Sequence, residues 1–390
     1  MINGQASPRG IPVISEHDTW ITVDPVVGCP ANCSYCYLGP LGLKARRPEA
    51  RVSPRRAVEM LSEYLASTRA DITEHSDATP VCLGNYTDML MSDSNREFLL
   101  SFAREMVHAK IVRPLVVVSK GYMPRTLAES LNALDVTIAV FHSQSFHRTT
   151  VGVRTETGPV LTPDQTLRAC AVYTGLDNMT PVHFWRPITR KSVPSAAWAM
   201  DTVRRLKESG YRCSVAIGLA VGVGIAQEEL IDRGLLDGPS AAAGEIWDRA
   251  AWEDILSAAE AVDYPVYRST SCAIALATRQ PEALGVWDRR RGADEKCAPC
   301  NCPTPQRALC ESKGLQSGGV ERPLAWLADQ LGRDPSRLHE LPGRRVSVEG
   351  DVPQSMISLA LHKYQIELLP ESISSERAWL GSFGKGDTHG

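Results

Sequence analysis

Most features that would place a chain in a special class are missing here. No apolar run approaches the roughly 18 to 20 residues of a membrane-spanning helix. Met1 to Gly10 lacks the apolar stretch of a secretory signal, so the expectation is a cytoplasmic protein with no membrane partner. Charge of one sign is also missing. The net charge is −3 over 390 residues, with acidic and basic residues interspersed, which gives no electrostatic footprint for nucleic acid. There is no internal repeat beyond strand–helix alternation and no low-complexity run. A hydrophobic share of 43% is ample for a sizeable core, either two average domains or one large α/β barrel with an appendage. Cysteine is the residue in excess. Eleven of them in a leaderless chain argue for reduced thiols and metal ligation rather than disulfides.

Three of those thiols fall within eight residues, Cys29-Pro30-Ala31-Asn32-Cys33-Ser34-Tyr35-Cys36, directly after the mostly apolar run Ile21 to Val27. Thiolates spaced C-x3-C-x2-C are too close for three independent jobs and suit one polynuclear metal centre. A zinc knuckle would want a fourth ligand nearby, yet no His or Cys follows until His75. Three protein ligands to a four-iron cluster leave one iron open for chemistry.

Further along, short apolar runs alternate with helical patterns. Strands are expected at 19–27, 80–83, 115–119, 136–141, 181–188 and 213–219, with helices between them, several opened by Ser, Thr or Pro. Such alternation means βαβ units and a parallel sheet. The expectation is a partial (β/α)6 TIM-like barrel with a Cys-rich, mixed α/β C-terminal extension. In order, the divisions are a lead-in (1–18), the barrel (19–225), a capping segment (226–268), a Cys-rich region (269–320) and an α/β tail (321–380). Functional groups of parallel barrels gather at the C-terminal ends of strands.

The C-x3-C-x2-C spacing, with aromatic Tyr35 before the last thiol, resembles the signature of the radical S-adenosylmethionine (radical SAM) superfamily. The resemblance implies a [4Fe–4S] cluster on Cys29, Cys33 and Cys36, S-adenosylmethionine (AdoMet) chelated to its open iron, and Tyr35 against the adenine. At the second strand end the family often carries Gly-Gly-Glu. This chain has Gly84-Asn85-Tyr86-Thr87-Asp88, which resembles the Thr-Asp variant of the branch containing spore photoproduct lyase. Asn85, Thr87 and Asp88 are therefore candidate cofactor contacts. So are Ser143 for the ribose, Arg186 for the cofactor carboxylate and Gly218 for close approach to the adenine. Lys120, at the third strand end, is a candidate to reach the ligand carboxylate or the substrate.

A second constellation is Cys297-Ala298-Pro299-Cys300-Asn301-Cys302 followed by Cys310. Four thiolates so spaced can close a tetrahedral zinc or a cubane site, and an auxiliary [4Fe–4S] cluster at the barrel mouth is expected. Cys272 either joins that set, faces the substrate as a catalytic thiol, or is an inert core residue. The expected activity is reductive AdoMet cleavage and hydrogen abstraction from a small molecule: a sugar, cyclitol, nucleoside or amino-acid derivative of specialised, natural-product metabolism. The auxiliary cluster would assist oxidation, making the enzyme an oxidoreductase, or position the substrate. An electron donor such as ferredoxin or flavodoxin is the expected partner. Peptide modification, a spore photoproduct lyase-like action on nucleic acid (ranked last) and a non-catalytic iron–sulfur role stand as alternatives.

Overall fold

The computed structural model describes residues 11–16, 19–66, 79–146, 155–221, 227–232, 235, 244–246, 248–282, 301–313, 323–341, 345–353, 356–357, 360 and 366–374. Its centre is an eight-stranded, largely parallel sheet. In chain order the strands are β1 (Ile14–Glu16), β2 (Ile21–Val23), β3 (Val26–Val27), β4 (Glu49–Ala50), β5 (Val81–Leu83), β6 (Leu115–Ser119), β7 (Ile138–Ser143), β8 (Met179–Trp185), β9 (Ser214–Ala216), β10 (Leu219–Val221), β11 (Gly244–Ile246) and β12 (Val266–Tyr267). The sheet order is β1-β2-β5-β6-β7-β8-β9-β12, with β1 antiparallel to β2 and every later pairing parallel.

Two differences from the expected strands have clear causes. The lead-in supplies a paired edge strand, because Ile14 has an apolar face to bury against the outer core. The run 19–27 is not one strand: Pro25 interrupts it, and β3 leaves the main sheet to pair with β4. The sheet also takes a seventh parallel strand, since β12, within the expected capping segment, pairs with β9.

The helices follow local chemistry. Ser53 caps α1 (Pro54–Leu65) by accepting from the Arg56 N–H, and Pro54 fills the first helical position, where no N–H is needed. Its buried residues Ala57, Val58, Leu61 and Tyr64 recur at helical spacing and face the sheet. Ser92 caps α2 (Asp93–His108), and α3 is Arg125–Asn132. Thr162 and Gln165 form a reciprocal capping box on α4 (Pro163–Ala169). The remaining helices of this region are α5 (Ala196–Glu208), α6 (Gln227–Asp232), α7 (Arg249–Val262) and α8 (Thr270–Thr278).

Alternation along each strand separates two cores. Val81, Leu83, Leu115, Val117, Ile138 and Val140 pack against α1, α2 and α3 on one face. Cys82, Val116, Ala139, Phe141, Val182 and Val215 point the other way and pack on α8. The buried face of α8 includes Cys272, Ala273, Ile274, Leu276 and Ala277, so a helix fills the concave side that an open parallel sheet would otherwise leave wet. Residues 323–374 hold a separate small core around Leu327, Val346, Val348 and Leu368, on a three-stranded sheet of 338–341, 345–353 and 367–374. Among the described residues no helix is long and apolar enough to cross a membrane.

Candidate iron–sulfur and ligand site

The cysteine loop leaves the C-terminal end of β2 and β3, and three chain segments hold it. Residues 43–46 run beside it: Cys29 N–H donates to Leu43 O at 2.9 Å, and Arg46 and Ala45 donate back to Cys29 and Ala31 carbonyls. Below it, Gly28 N–H donates to Tyr86 O, and the Thr87 hydroxyl donates to Gly28 O at 2.6 Å. Gly28 has φ +95°, and a Cβ there would stand 2.7 Å from Arg47 O, so only glycine fits. On the third side lies 155–158. Asn32 N–H donates to Thr157 O and Ser34 N–H to Thr155 O, both at 2.9 Å. The loop is ordered by its own neighbours.

Cys29 and Cys33 are buried and Cys36 half-buried. Burial, with the Asp88 charge second, pushes the Cys29 thiol up to about 12; burial likewise raises Cys33 and Cys36. Thiols so placed stay protonated unless a cation binds them, and a metal deprotonates its sulfur ligands outright. Cys33 feels both Cys29 and Cys36 electrostatically, so the three share one neighbourhood. Backbone N–H groups of Ala31 and Leu38 are aimed at the Cys29 and Cys36 sulfurs, an arrangement suited to iron–sulfur ligands. Among the described residues no three Cys, His, Asp or Glu gather as they would around a single ion. A four-iron cubane is larger and holds its thiolates further apart. The donor set fits a cluster.

Around this loop stand the residues that follow the neighbouring strands. Lys120 follows β6, Ser143 closes β7, and Arg186 lies one residue beyond β8 rather than inside the strand. The Lys120 ammonium donates to Ser143 Oγ and Ser143 O, both at 3.1 Å, and to Glu156 Oε1 at 2.8 Å. That ion pair is buried, with 14% and 8% side-chain exposure. Burial alone would lower the Lys120 pKa; the carboxylates, Glu156 first and Asp88 after it, outweigh it, so the pKa is raised and the ammonium stays charged. Lys120 Nζ also lies 5.6 Å from the Tyr35 ring centroid, within cation–π range. The Tyr35 hydroxyl donates to Glu156, and its ring packs beside Leu219, Leu230 and Leu235. The Arg186 guanidinium lies over Phe184 at 5.9 Å. Gly218 sits between β9 and β10 and is buried.

The residues at the second strand end are bonded within the chain. The Asp88 carboxylate accepts from Leu90 N–H (2.9 Å), Ser119 Oγ (2.6 Å) and Lys120 N–H (2.7 Å), joining this turn to the end of β6. Burial raises its pKa, and those three donors partly offset the rise. Asn85 donates through its side chain to Thr22 Oγ1 and through its backbone to Asp24 Oδ1. Thr87 is taken up by Gly28 and Asn95. These side chains position the loop and the strand ends.

Sequence reasoning missed Glu156, Asp24 and Tyr37. Asp24 is fully buried and accepts from the Asn85 and Tyr86 N–H groups, and the Tyr37 hydroxyl donates to Asn85 O. Glu156 carried one readable signal: an acid in the loop after β7, on the side where strand ends converge.

The second constellation is elsewhere. Cys297 and Cys300 lie outside the described residues. Cys302 and Cys310 are buried. The Cys310 sulfur accepts from Glu282 N–H and Gln306 Nε2, each at 3.4 Å, and burial raises its pKa while those donors oppose the rise. Gln306 also bonds Gln280 O. Gln280 lines a small recess with Thr19, two residues before β2, and Pro80, one residue before β5. Asn301 donates to Ala259 O in the last turn of α7, whose chain next enters β12. These contacts place Cys302 and Cys310 at the N-terminal ends of the strands, opposite the Cys29–Cys36 loop. This corrects the expected location at the mouth: the chain returns beneath the sheet after α8. Cys272 packs with Cys302, Cys213 and Tyr267 on the inner face, in a core distinct from that of the first loop.

No protein-family model and no curated protein matches the chain. Among solved structures it is similar to a doubly substituted spore photoproduct lyase with bound AdoMet and dinucleoside spore photoproduct, at 14% identity, TM-score 0.46, covering 63% of this chain and 75% of that one. Spore photoproduct lyase complexed with dinucleoside spore photoproduct, and a Cys-to-Ala mutant of it, match at 15% identity with the same TM-score and coverage.

Proposed function

We propose that this protein is a radical SAM enzyme, which binds a [4Fe–4S] cluster at Cys29, Cys33 and Cys36 and AdoMet beside it. The observation that supports this most is the loop itself: three thiols in one neighbourhood, preorganised by Gly28, Thr87 and residues 155–158, at the C-terminal edge of a parallel sheet. When bound, the reduced cluster and AdoMet supply a 5′-deoxyadenosyl radical able to take hydrogen from a substrate. The chain's own residues do the holding. Lys120, kept charged by its acidic neighbours, offers an ammonium for a carboxylate, and Ser143 a hydroxyl for a ribose. Arg186 offers a second cation at the adjoining strand end. Tyr35, Leu219, Leu230 and Leu235 form an apolar wall that keeps water from the reacting groups.

A second iron–sulfur site including Cys302 and Cys310 belongs to this reading, supported by the two N–H donors aimed at the Cys310 sulfur. From the N-terminal ends of the strands it would serve by passing electrons, the role that makes the enzyme an oxidoreductase, and not by touching substrate. The substrate proposed is a small molecule. The near-neutral charge, with acidic and basic residues interspersed, supports that class over nucleic acid.

The test is anaerobic reconstitution followed by dithionite. Release of 5′-deoxyadenosine from AdoMet is expected; its absence sinks the radical SAM reading and leaves the non-catalytic one. Adding a dinucleoside photoproduct of the kind held by the similar solved structures tests the substrate class, because its conversion would replace the small-molecule reading.

A further inference from the structure

The Lys120 ammonium has three N–H donors, and all three are engaged: two by Ser143 and one by Glu156. Glu156 is therefore sitting where an incoming carboxylate would bind. It is held there from two sides, by the ion pair with Lys120 and by the Tyr35 hydroxyl. Its backbone neighbours Thr155 and Thr157 are in turn bonded to Ser34 and Asn32 of the cysteine loop. If a ligand carboxylate joined Lys120 while Glu156 stayed, two carboxylates would share one ammonium in a buried site. With its donors already taken, Lys120 has no N–H left for the newcomer to accept from.

We infer that Glu156 is an internal stand-in for the ligand's α-carboxylate, and that AdoMet binds by displacing it from Lys120. This rests on the proposed function and adds a competitor to it. Glu156 then sets how much the ligand's carboxylate contributes to affinity. A ligand without a carboxylate has nothing to offer Lys120 and leaves the pair intact, whereas AdoMet must exchange one carboxylate for another. Because the displaced acid lies on the segment bonded to the cysteine loop, ligand binding also reaches the loop's third support.

The experiment measures binding of AdoMet and of decarboxylated AdoMet to the reconstituted, oxidised full-length protein by anaerobic calorimetry. In Glu156→Gln, the amide still accepts from Lys120 and Tyr35 but no longer holds the ammonium by charge. AdoMet should then bind about tenfold tighter, with the affinity for decarboxylated AdoMet unchanged. In the wild type the two ligands should differ little; in the variant AdoMet should win clearly. Equal or weaker AdoMet binding by Glu156→Gln would overturn the inference, and weakening of both ligands would make Glu156 a direct contact to the ligand's ammonium instead. Circular dichroism checks the fold, and if Glu156→Gln is misfolded, Glu156→Ala and the wild-type affinity ratio carry the same test. Failure of the proposed function looks different: the wild type would bind neither nucleotide, overturning both readings.

Discussion

The two cysteine-rich regions look alike in sequence and are built differently. The first, Cys29 to Cys36, is a loop braced on three sides by backbone hydrogen bonds, beside a buried Lys120–Glu156 pair, at the C-terminal ends of the strands. The second, as far as Cys302 and Cys310 show it, is held by single contacts to Glu282, Gln306 and α7, at the opposite ends. The first has cations, hydroxyls and an acid within reach of a ligand; the second meets the inner core through Tyr267, Cys213 and Cys272. Thiol density does not separate the two regions. On the proposed reading, what surrounds the thiols assigns chemistry to the first and electron passage to the second.

The sharpest way to break this comparison is to remove each set of sulfurs. Replacing Cys29, Cys33 and Cys36 together by Ala should abolish 5′-deoxyadenosine release while about one four-iron cluster survives, by iron and sulfide analysis. Retention of zinc instead of iron in that variant would falsify the second iron–sulfur site. Cys310→Ser should lower the iron content while AdoMet still binds, because the ligand site is at the opposite ends of the strands.

The bracing of the first loop is tested by Gly28→Ala. With φ +95° and Arg47 O 2.7 Å from the new Cβ, a cost of about 1–3 kcal/mol and impaired cluster uptake are expected, measured by urea denaturation and iron content. A mild, iron-neutral result would mean that the loop is shaped by the metal rather than by its neighbours.

The strands between the two regions carry two buried neutral histidines. Burial lowers His142 to about 4 and His183 to about 3. Both folded-state values lie below the unfolded one, so the full stability is present above pH 6.5 and is lost as pH falls toward them. Between pH 7 and 5 this loss should be on the order of 2 kcal/mol per histidine, read as a falling denaturation midpoint. A flat profile would mean that these rings accept protons in the folded state. The smallest effect is expected from Cys272→Ala, about 1 kcal/mol of stability with iron content unchanged, as befits a core thiol.

Much of the fold was legible because it is local. Apolar runs such as 115–119, and caps such as Ser53 and Thr162, announce their elements within a few residues. The lead-in strand was not legible, since β1 forms only by pairing with β2. Around the loop, Lys120 and Ser143 lie at the strand ends where they were expected and Arg186 one residue past the strand it was expected within, while Glu156 was hidden. Its partner Tyr35 lies 121 residues away, and no spacing rule links them.

By itself the sequence determined the three-thiol loop, its place after a strand, and the β/α alternation that makes a parallel sheet, because each depends on neighbours in the chain. Only the tertiary structure decided that Asp88 bonds to Leu90, Ser119 and Lys120, that Glu156 holds Lys120, and that Cys302 and Cys310 lie beneath the sheet. Those outcomes depend on chain closure. A buried acid takes whichever donors the fold brings to it, and a return path below the sheet is set by α8 filling the inner face.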